Sequence, residues 1–292
     1  MRNSAPTANG HLVFISDFGL KDRFVTSMKG VAINVDPALH LHDITHQIDP
    51  YNIWEASYTL AGSIPYWPVG TVFVSVVDPG VGTDRVSVVA LTSDQKYVVT
   101  PDNGTLTLID DQIGIEQIRI IDETVNRRPG SSRFATFHGR DVYAYTGARL
   151  ASGIIDYNQT GAEIHEHIER IDYKKPTIEE GENLRGTITK VEHPYGNLAT
   201  NIPADLFYEA GGTDQSYWNV TISSSDVKSH SSPSFKKPIP YTKSFGFVEK
   251  GDPLLYTDSL GNLGLAINNG NVSKKYHITA GPETTIRLKP AK

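Results

Sequence analysis

Three aspartates in the first half of the chain stand at the ends of short apolar runs. Asp17 follows Leu12-Val13-Phe14-Ile15-Ser16 and opens Phe18-Gly19; Asp43 lies near the end of Leu39–Ile44; Asp78 follows Thr71–Val77 and opens Pro79-Gly80-Val81-Gly82. If these runs are strands of a doubly wound sheet, ligands bind beyond their carboxyl ends, where loops and helix N-termini converge. Taken singly, each aspartate is equally a helix cap. Three at successive strand ends, two of them beside glycine-containing turns, describe a polar cleft. Arg85 follows Asp78 by seven positions, and Pro79-Gly80-Val81-Gly82-Thr83 lets the chain turn back between them. An arginine so placed holds a carboxylate ionised and oriented through charge-assisted hydrogen bonds; the alternative is a surface ion pair contributing less than about 1 kcal/mol. His138 sits in Phe134-Ala135-Thr136-Phe137-His138-Gly139-Arg140-Asp141, at the start of a helical pattern running through Val142, Tyr143, Ala144 and Ala148. A helix N-terminus disfavours imidazolium, so this residue is either a neutral base or hydrogen-bonding group for water, or a structural histidine.

The second half offers a different set. Glu192-His193-Pro194-Tyr195-Gly196-Asn197-Leu198-Ala199-Thr200-Asn201-Ile202 packs a carboxylate, two amides and a turn into eleven residues. The Asn197 amide, with a donor beside an acceptor, can read a purine edge, and Gly196-Asn197 is also an ordinary tight turn. Ser259-Leu260-Gly261-Asn262 has the same ambiguity, and Phe245 either stacks on a ring or fills a core.

These residues belong to a chain of 292 with a net charge of −6, 38% hydrophobic residues and no cysteine. The length suggests roughly two domains, each large enough for its own core. Without cysteine there is no disulfide, thiolate nucleophile or zinc–sulfur site, which leaves carboxylates, histidines and hydroxyls for the chemistry. With 27 basic against 33 acidic residues and no like-charge block, the footprint of a nucleic-acid partner is missing. No stretch reads as a secretory leader or approaches ~18 uninterrupted apolar residues, so the expected address is the cytoplasm and no membrane partner is expected.

The elements that must position the candidates alternate in the first half. The run Leu12–Ile15 reads as a strand, and Phe24, Val25, Met28, Val31, Ala32 and Val35 then recur at helical spacing, with Asp22 as N-cap. Leu39–Ile44 is a second run, Asn52–Ile64 an amphipathic helix and Thr71–Val77 a strand, which predicts a mostly parallel, covered sheet. After Tyr173-Lys174-Lys175-Pro176 a polar stretch through Glu182 reads as a linker. Beyond it, short β-like runs at Gly186–Val191, Trp218–Ile222, Leu254–Tyr256, Leu263–Ile267 and Thr284–Leu288, without an intervening helix, predict a small all-β barrel or sandwich. The serine-rich stretch Ser223–Ser234 reads as an exposed loop. The fold class is therefore α/β, with a mostly parallel α/β domain over residues 1–175 and a smaller barrel-like all-β domain over 183–292.

Five motifs in order carry a resemblance: Ile15-Ser16-Asp17-Phe18-Gly19, Val77-Asp78-Pro79-Gly80-Val81-Gly82, Pro101-Asp102-Asn103-Gly104, Thr136-Phe137-His138-Gly139-Arg140-Asp141, and Tyr195-Gly196-Asn197 with Thr200-Asn201-Ile202. Together they cover nearly the whole chain, and it resembles the adenosine-forming S-adenosyl-L-methionine hydrolases, or hydroxide adenosyltransferases, relatives of the fluorinase and chlorinase. The resemblance implies that Asp78, Arg85 and His138 hold and activate a water, and that Asp17 grips the ribose hydroxyls. It implies that Asn197 reads adenine, that Phe245 packs on the base, and that Asp22, Glu192 and Ser259 hold the methionine end, with Glu192 standing where relatives often have Asp. The implied reaction is displacement at C5′ of S-adenosyl-L-methionine, giving adenosine and L-methionine with no metal and no cofactor. Halide-using relatives replace the aspartate at the Asp78 position and carry an added loop; here Asp78 is present and the Val86–Val99 connection is short, which implies water as nucleophile. The resemblance also implies a homotrimer with active sites between the N-terminal domain of one subunit and the β domain of the next.

Two other functions compete. One makes Asp17, Asp43, Asp78 and His138 hard ligands for Mg²⁺ or Ca²⁺ in a metal-dependent nucleoside or phosphate-ester hydrolase. The other is a non-catalytic adenosine-binding module, in which Asp17 and Asn197 matter and Asp78, Arg85 and His138 do not.

Overall fold

The run Leu12-Val13-Phe14-Ile15 cannot leave either face in water, and in a computed structural model describing residues 5–164, 168–181, 183–224 and 235–291 it forms the buried strand β1 (His11–Ser16). β1 lies between β2 (His40–Thr45) and β3 (Val72–Val76), parallel to both, as expected of a strand apolar on both faces. The sheet continues through β4 (Ser87–Thr92), β5 (Tyr97–Pro101), β6 (Ile115–Ile120) and β7 (Glu163–Ile164) in the order β2-β1-β3-β5-β4-β6-β7. β2, β1, β3 and β5 are mutually parallel; β4 is antiparallel to both β5 and β6, and β7 is antiparallel to β6, so five of the seven strands point one way. The sheet is thus mostly parallel, as expected, and the Val86–Val99 stretch read as a connection holds β4 and the start of β5.

Helices cover this sheet. α1 (Phe24–Val35) buries Val25, Met28 and Ala32, the spacing that predicted it, and full burial of a side chain the size of Met28 contributes about 1.5–3 kcal/mol. Its N-cap is Arg23 and not Asp22, because the Asp22 carboxylate accepts from the adjacent Arg23 N–H at 2.6 Å and so does not cap the later amides. α2 (Ile53–Ser63) falls within the helix read over Asn52–Ile64, and Asn52 caps it: its side chain accepts from Glu55 N–H at 3.0 Å. α3 (Thr107–Gln112) follows β5, and α4 (Tyr145–Ala151) is entered through a π-helical segment, Gly139–Ala144.

The chain forms two compact units, Met1–Ile171 and Asp172–Lys292. The second is a single sheet. Its strands are β8 (Thr177–Glu179), β9 (Asn183–Glu192), β10 (Asn197–Pro203), β11 (Tyr217–Ser224), β12 (Phe235–Pro240), β13 (Pro253–Thr257), β14 (Asn262–Ile267) and β15 (Thr284–Pro290). They run β12-β11-β15-β9-β10-β14-β13, antiparallel throughout, with β8 paired to β9. The two ends meet where Tyr241, just after β12, bridges Leu255 of β13 and Thr242 N–H donates to Leu255 C=O at 2.9 Å, giving the near-barrel the spacing predicted. Alternate residues of β11 and β15 point into its core, where Trp218, Phe207, Ile222, Ile286 and Leu288 are buried.

Three details depart from the sequence reading. The polar stretch read as a linker contains β8. Two short helices, α5 (Ala204–Glu209) and α6 (Val272–Tyr276), interrupt the strands where none was expected, each too short for a periodic pattern to show. Ser223 and Ser224 finish β11, and positions 225–234 of the serine-rich stretch lie outside the described residues. Among the described residues no helix is long and apolar enough to cross a membrane.

Candidate active site

The loop after β3 makes the Asp78–Arg85 pair possible. Gly82 takes φ +79°, and a side chain there would put its Cβ 2.9 Å from the Ala135 carbonyl oxygen, so the turn needs glycine twice over. Asn103, in the Pro101–Gly104 motif, donates from its side chain to Val77 C=O at 3.0 Å and fixes the strand end that presents Asp78. Arg85 then returns a two-pronged pair: Nε donates to Asp78 Oδ1 at 2.8 Å and Nη2 to Oδ2, while Nη1 donates to Ser87 Oγ at 3.0 Å. The Asp78 and Arg85 side chains are only 5% and 11% exposed, which removes the reading as a surface ion pair. Burial opposes the Arg85 charge, but the hydrogen bond and charge of Asp78 outweigh it and the guanidinium is held above its ordinary value.

His138 arrives from the other side of the site. Gly139 packs so tightly below it that a Cβ there would come within 3.0 Å of Val76 and 3.3 Å of Phe18, which fixes the turn against the ends of β3 and β1. Buried Asp141 accepts from Arg128 Nε at 2.7 Å and from Arg140 Nε at 2.8 Å and anchors the same turn. His138 is the first residue before the π-helical segment, and its Nδ1 lies 3.1 Å from Arg85 Nη2. Burial, as the larger cause, then the neighbouring Arg85 lower its pKa below the ordinary 6.5, a direction that favours the neutral ring. The Tyr143 hydroxyl donates to Asp78 Oδ2 at 3.2 Å, and burial pushes its own pKa upward, so it remains a donor.

Asp17, Asp78 and His138 line one cavity of about 300 Å³, the low end for small-molecule sites, walled by Phe18, Phe24, Phe137, Tyr51 and Val81. Phe18, Phe24 and Phe137 form a ring cluster with centroids 5.4–5.9 Å apart. Asp17 Oδ2 accepts from Tyr51 N–H at 2.9 Å. Burial, with a smaller contribution from the Asp78 charge, raises the Asp17 pKa against that hydrogen bond. A larger cavity in the same unit, about 820 Å³ and lined by Tyr97, Glu116, Gln117 and Tyr157 among others, contains none of the candidate residues.

Asp43 does not join this set. Its carboxylate accepts from Lys29 Nζ at 2.6 Å and pairs with His46 Nε2 at 3.0 Å, and these partners outweigh burial and hold its pKa below 3.8. Nor does Asp22 line the cavity; it is exposed and engaged with Arg23. The quartet of Asp17, Asp43, Asp78 and His138 required by the metal-hydrolase reading is therefore not assembled.

In the second unit, Glu192 and buried Asn197 face each other across the β9–β10 pair at the hairpin end, and Tyr256 donates to Glu192 Oε2 at 3.4 Å. The Phe245 ring lies 5.0 Å from that of Tyr256, inclined at 46°. Ser259 is exposed in the turn joining β13 to β14. Thr200 and Asn201 of the same motif are committed to the fold, donating to Leu263 C=O at 2.7 Å and Lys174 C=O at 2.8 Å.

The model of the SAM hydroxide adenosyltransferase N-terminal domain matches residues 12–161, and that of the C-terminal domain matches residues 186–285. The chain belongs to this family. Among curated members and relatives, a protein of Methanocaldococcus jannaschii named (R)-S-adenosyl-L-methionine hydrolase is 36% identical over 66% of this chain and 67% of its own. One of the same name from Thermus thermophilus is 32% identical over 92% of this chain and 96% of its own. A fluorinase of an Actinoplanes species is 28% identical over 96% of this chain and 98% of its own. The hydroxide adenosyltransferase fold seen here is shared by the crystal structure of an uncharacterized conserved protein from Thermotoga maritima, with TM-score 0.83, 32% identity and coverage of 95% of this chain and 99% of that one. Three residues around the site were not singled out from the sequence of this family member: Tyr143, which carried no motif signal beyond its helix, and Glu123 and Arg127, whose i, i+4 spacing was the available clue.

Proposed function

We propose that the protein hydrolyses S-adenosyl-L-methionine to adenosine and L-methionine. The observation that carries this reading is Asp78 and His138 beside Asp17 on one aromatic-walled cavity, with Arg85 behind them joined to both, in a chain whose curated relatives bear the name (R)-S-adenosyl-L-methionine hydrolase. A water held between Asp78 and His138 attacks C5′; the C5′–O bond forms as the C5′–S bond breaks, the electron pair goes to sulfur, and the water's proton passes to the Asp78–His138 pair. The sulfonium leaves as a neutral thioether and needs no acid, so placing and desolvating the water is the enzyme's main task. Asp17 takes the ribose hydroxyls, Asn197 the adenine edge, Phe245 the base face, and Asp22, Glu192 and Ser259 the methionine end. Water is favoured over halide because two carboxylates, Asp17 and Asp78, border the cavity and repel an anion. The relatives' name specifies the R configuration at sulfur, and we assign the same epimer here.

The domains are taken as those read from the sequence, 1–175 and 183–292, a division supported by the separate family models over 12–161 and 186–285. A cytoplasmic address and a homotrimer with intersubunit sites complete the proposal, the trimer resting on the resemblance; light scattering that returns a monomer at assay concentration removes the intersubunit site.

The deciding experiment incubates purified protein with epimer-resolved substrate in chloride-free ¹⁸O-water. Equal adenosine and methionine from the R epimer, with one ¹⁸O in the 5′-hydroxyl, are expected. Unlabelled adenosine, or released adenine, overturns the reaction; consumption of the S epimer alone overturns the epimer assignment.

A further inference from the structure

The ring of His138 is contacted at both nitrogens by arginine. Arg85 Nη2 lies 3.1 Å from Nδ1, and Arg127 Nη2 lies 3.0 Å from Nε2. Guanidinium groups only donate, and a neutral imidazole has one lone pair and one N–H. Only one arginine can therefore donate to the ring at a time, and a doubly protonated ring would face donors at both ends and add a third positive charge between two others.

Arg127 is aimed at this position. Asn126, just before it, is buried and donates to Gln159 C=O and Thr160 C=O, each at 3.0 Å. Arg128, just after it, is tied through its N–H to Asp141 C=O at 2.8 Å and through Nε to the Asp141 carboxylate. With its backbone held on both sides, Arg127 is oriented at its tip by Glu123, whose Oε2 accepts from Nε at 2.9 Å and from Nη2 at 2.6 Å. The Arg127 side chain is 15% exposed, so little water competes.

We infer that Arg127, oriented by Glu123, is a positioning residue for the hydrolysis: it fixes the plane of His138 from the Nε2 side and, opposite Arg85, keeps the ring uncharged. The inference rests on the proposed role of His138 in that reaction. The charged and titratable groups around the ring are Arg85 and Asp78 on one side, with Tyr143 behind Asp78, and Arg127 and Glu123 on the other. Glu123 and, more weakly, Asp78 favour the charged ring, while Arg85 and Arg127 oppose it, so removing Arg127 leaves the Glu123 anion uncompensated beside the imidazole.

The test is ¹⁵N NMR titration of the His138 ring, assigned by its loss in His138→Gln, alongside the pH profile of kcat/KM. Wild-type His138 is expected to titrate below the ordinary 6.5. Arg127→Gln is expected to move that titration, and the acidic limb of kcat/KM, to higher pH; Arg127→Gln combined with Glu123→Gln is expected to move both back toward wild type. A residue that only braces the loop lowers activity without this shift and reversal. An unchanged or lowered His138 titration in folded Arg127→Gln overturns the inference. If that variant does not fold, a wild-type ring titrating at or above 6.5 overturns it as well. The titration needs no substrate, so failure of the hydrolysis reading, seen as no turnover by wild type, is read separately.

Discussion

Replacing Asp78 by alanine separates a catalytic carboxylate from one that merely holds Arg85. The carboxylate accepts two hydrogen bonds from Arg85 and one from Tyr143, and both ionic side chains are almost fully buried. Truncation strands the guanidinium out of water, and breaking a buried pair from one side costs about 3–5 kcal/mol. Spread over a cooperative unit spanning residues 1–171, with an unfolding entropy of about 2.1 cal/mol/K per residue, this lowers the melting temperature by about 8–14 °C. The single-turnover rate should fall by about 10²–10⁴, the usual contribution of a group that positions and deprotonates a nucleophile. The double variant Asp78→Ala with Arg85→Ala removes the stranded charge, so calorimetry should show part of the stability return while turnover stays lost. If Asp78→Ala melts early yet turns over within tenfold of wild type below its melting temperature, the pair is structural and the reaction runs on other groups.

Acidification should switch the enzyme off in a specific window. The folded pKa of His138 lies below its ordinary 6.5 and that of Asp17 lies above its ordinary 3.8, so kcat/KM should be flat above about pH 6.5 and fall between these limits as the imidazole charges and the carboxylate neutralises. Because unfolded His138 binds its proton more readily than the folded ring, its contribution to stability is lost as pH falls through 6.5, which denaturant titrations at pH 7.5 and 5.5 detect; an acidic limb centred above pH 7 contradicts the assignment. In the second unit, Trp218→Ala empties a site only 1% exposed, where the indole packs 5.0 Å from Phe207, and should cost about 3–5 kcal/mol by denaturant unfolding. A loss under 1 kcal/mol means the near-barrel core collapses around the gap.

How much of this was legible in the sequence depended on how locally each feature is determined. Continuous apolar runs such as Leu12–Ile15 and Thr71–Val77 announced buried parallel strands because no other environment hides both faces. The short glycine-containing bend between Asp78 and Arg85 made that pair legible too. His138 was readable as a helix-start histidine, but its contact with Arg85 spans 53 positions, and only the shared order of motifs tied the two together. Asp43 shows the opposite failure: it sits in strand β2 much as a cleft aspartate should, yet Lys29 of the preceding helix and His46 three residues on claim its oxygens. Neither partner could be assigned from strand-end position alone. The six-residue α5 and five-residue α6 were invisible for a simpler reason, since fewer than two turns produce no period.

The motifs themselves divide into groups that face the cavity and groups that hold it open. Asp17, Asp78 and His138 present their side chains to the cavity, whereas Asn103 spends its amide on the strand end before Asp78 and Asp141 accepts two arginines beneath the His138 turn. Residue type does not separate the two groups, because a carboxylate or amide is as useful for satisfying a buried backbone as for gripping a ligand. Filled hydrogen-bonding capacity does not separate them either, since Asp78 accepts from Arg85 and Tyr143 and still lines the cavity; what separates them is whether the side chain lines the cavity. Asp141 has two cationic partners and no exposure, and Asn103 donates to Val77 C=O while accepting from Thr105 Oγ1 at 2.8 Å. Asp17 lines the cavity with its Oδ2 engaged by Tyr51 N–H and its pKa raised by burial, which is consistent with the proposal that it takes the ribose hydroxyls.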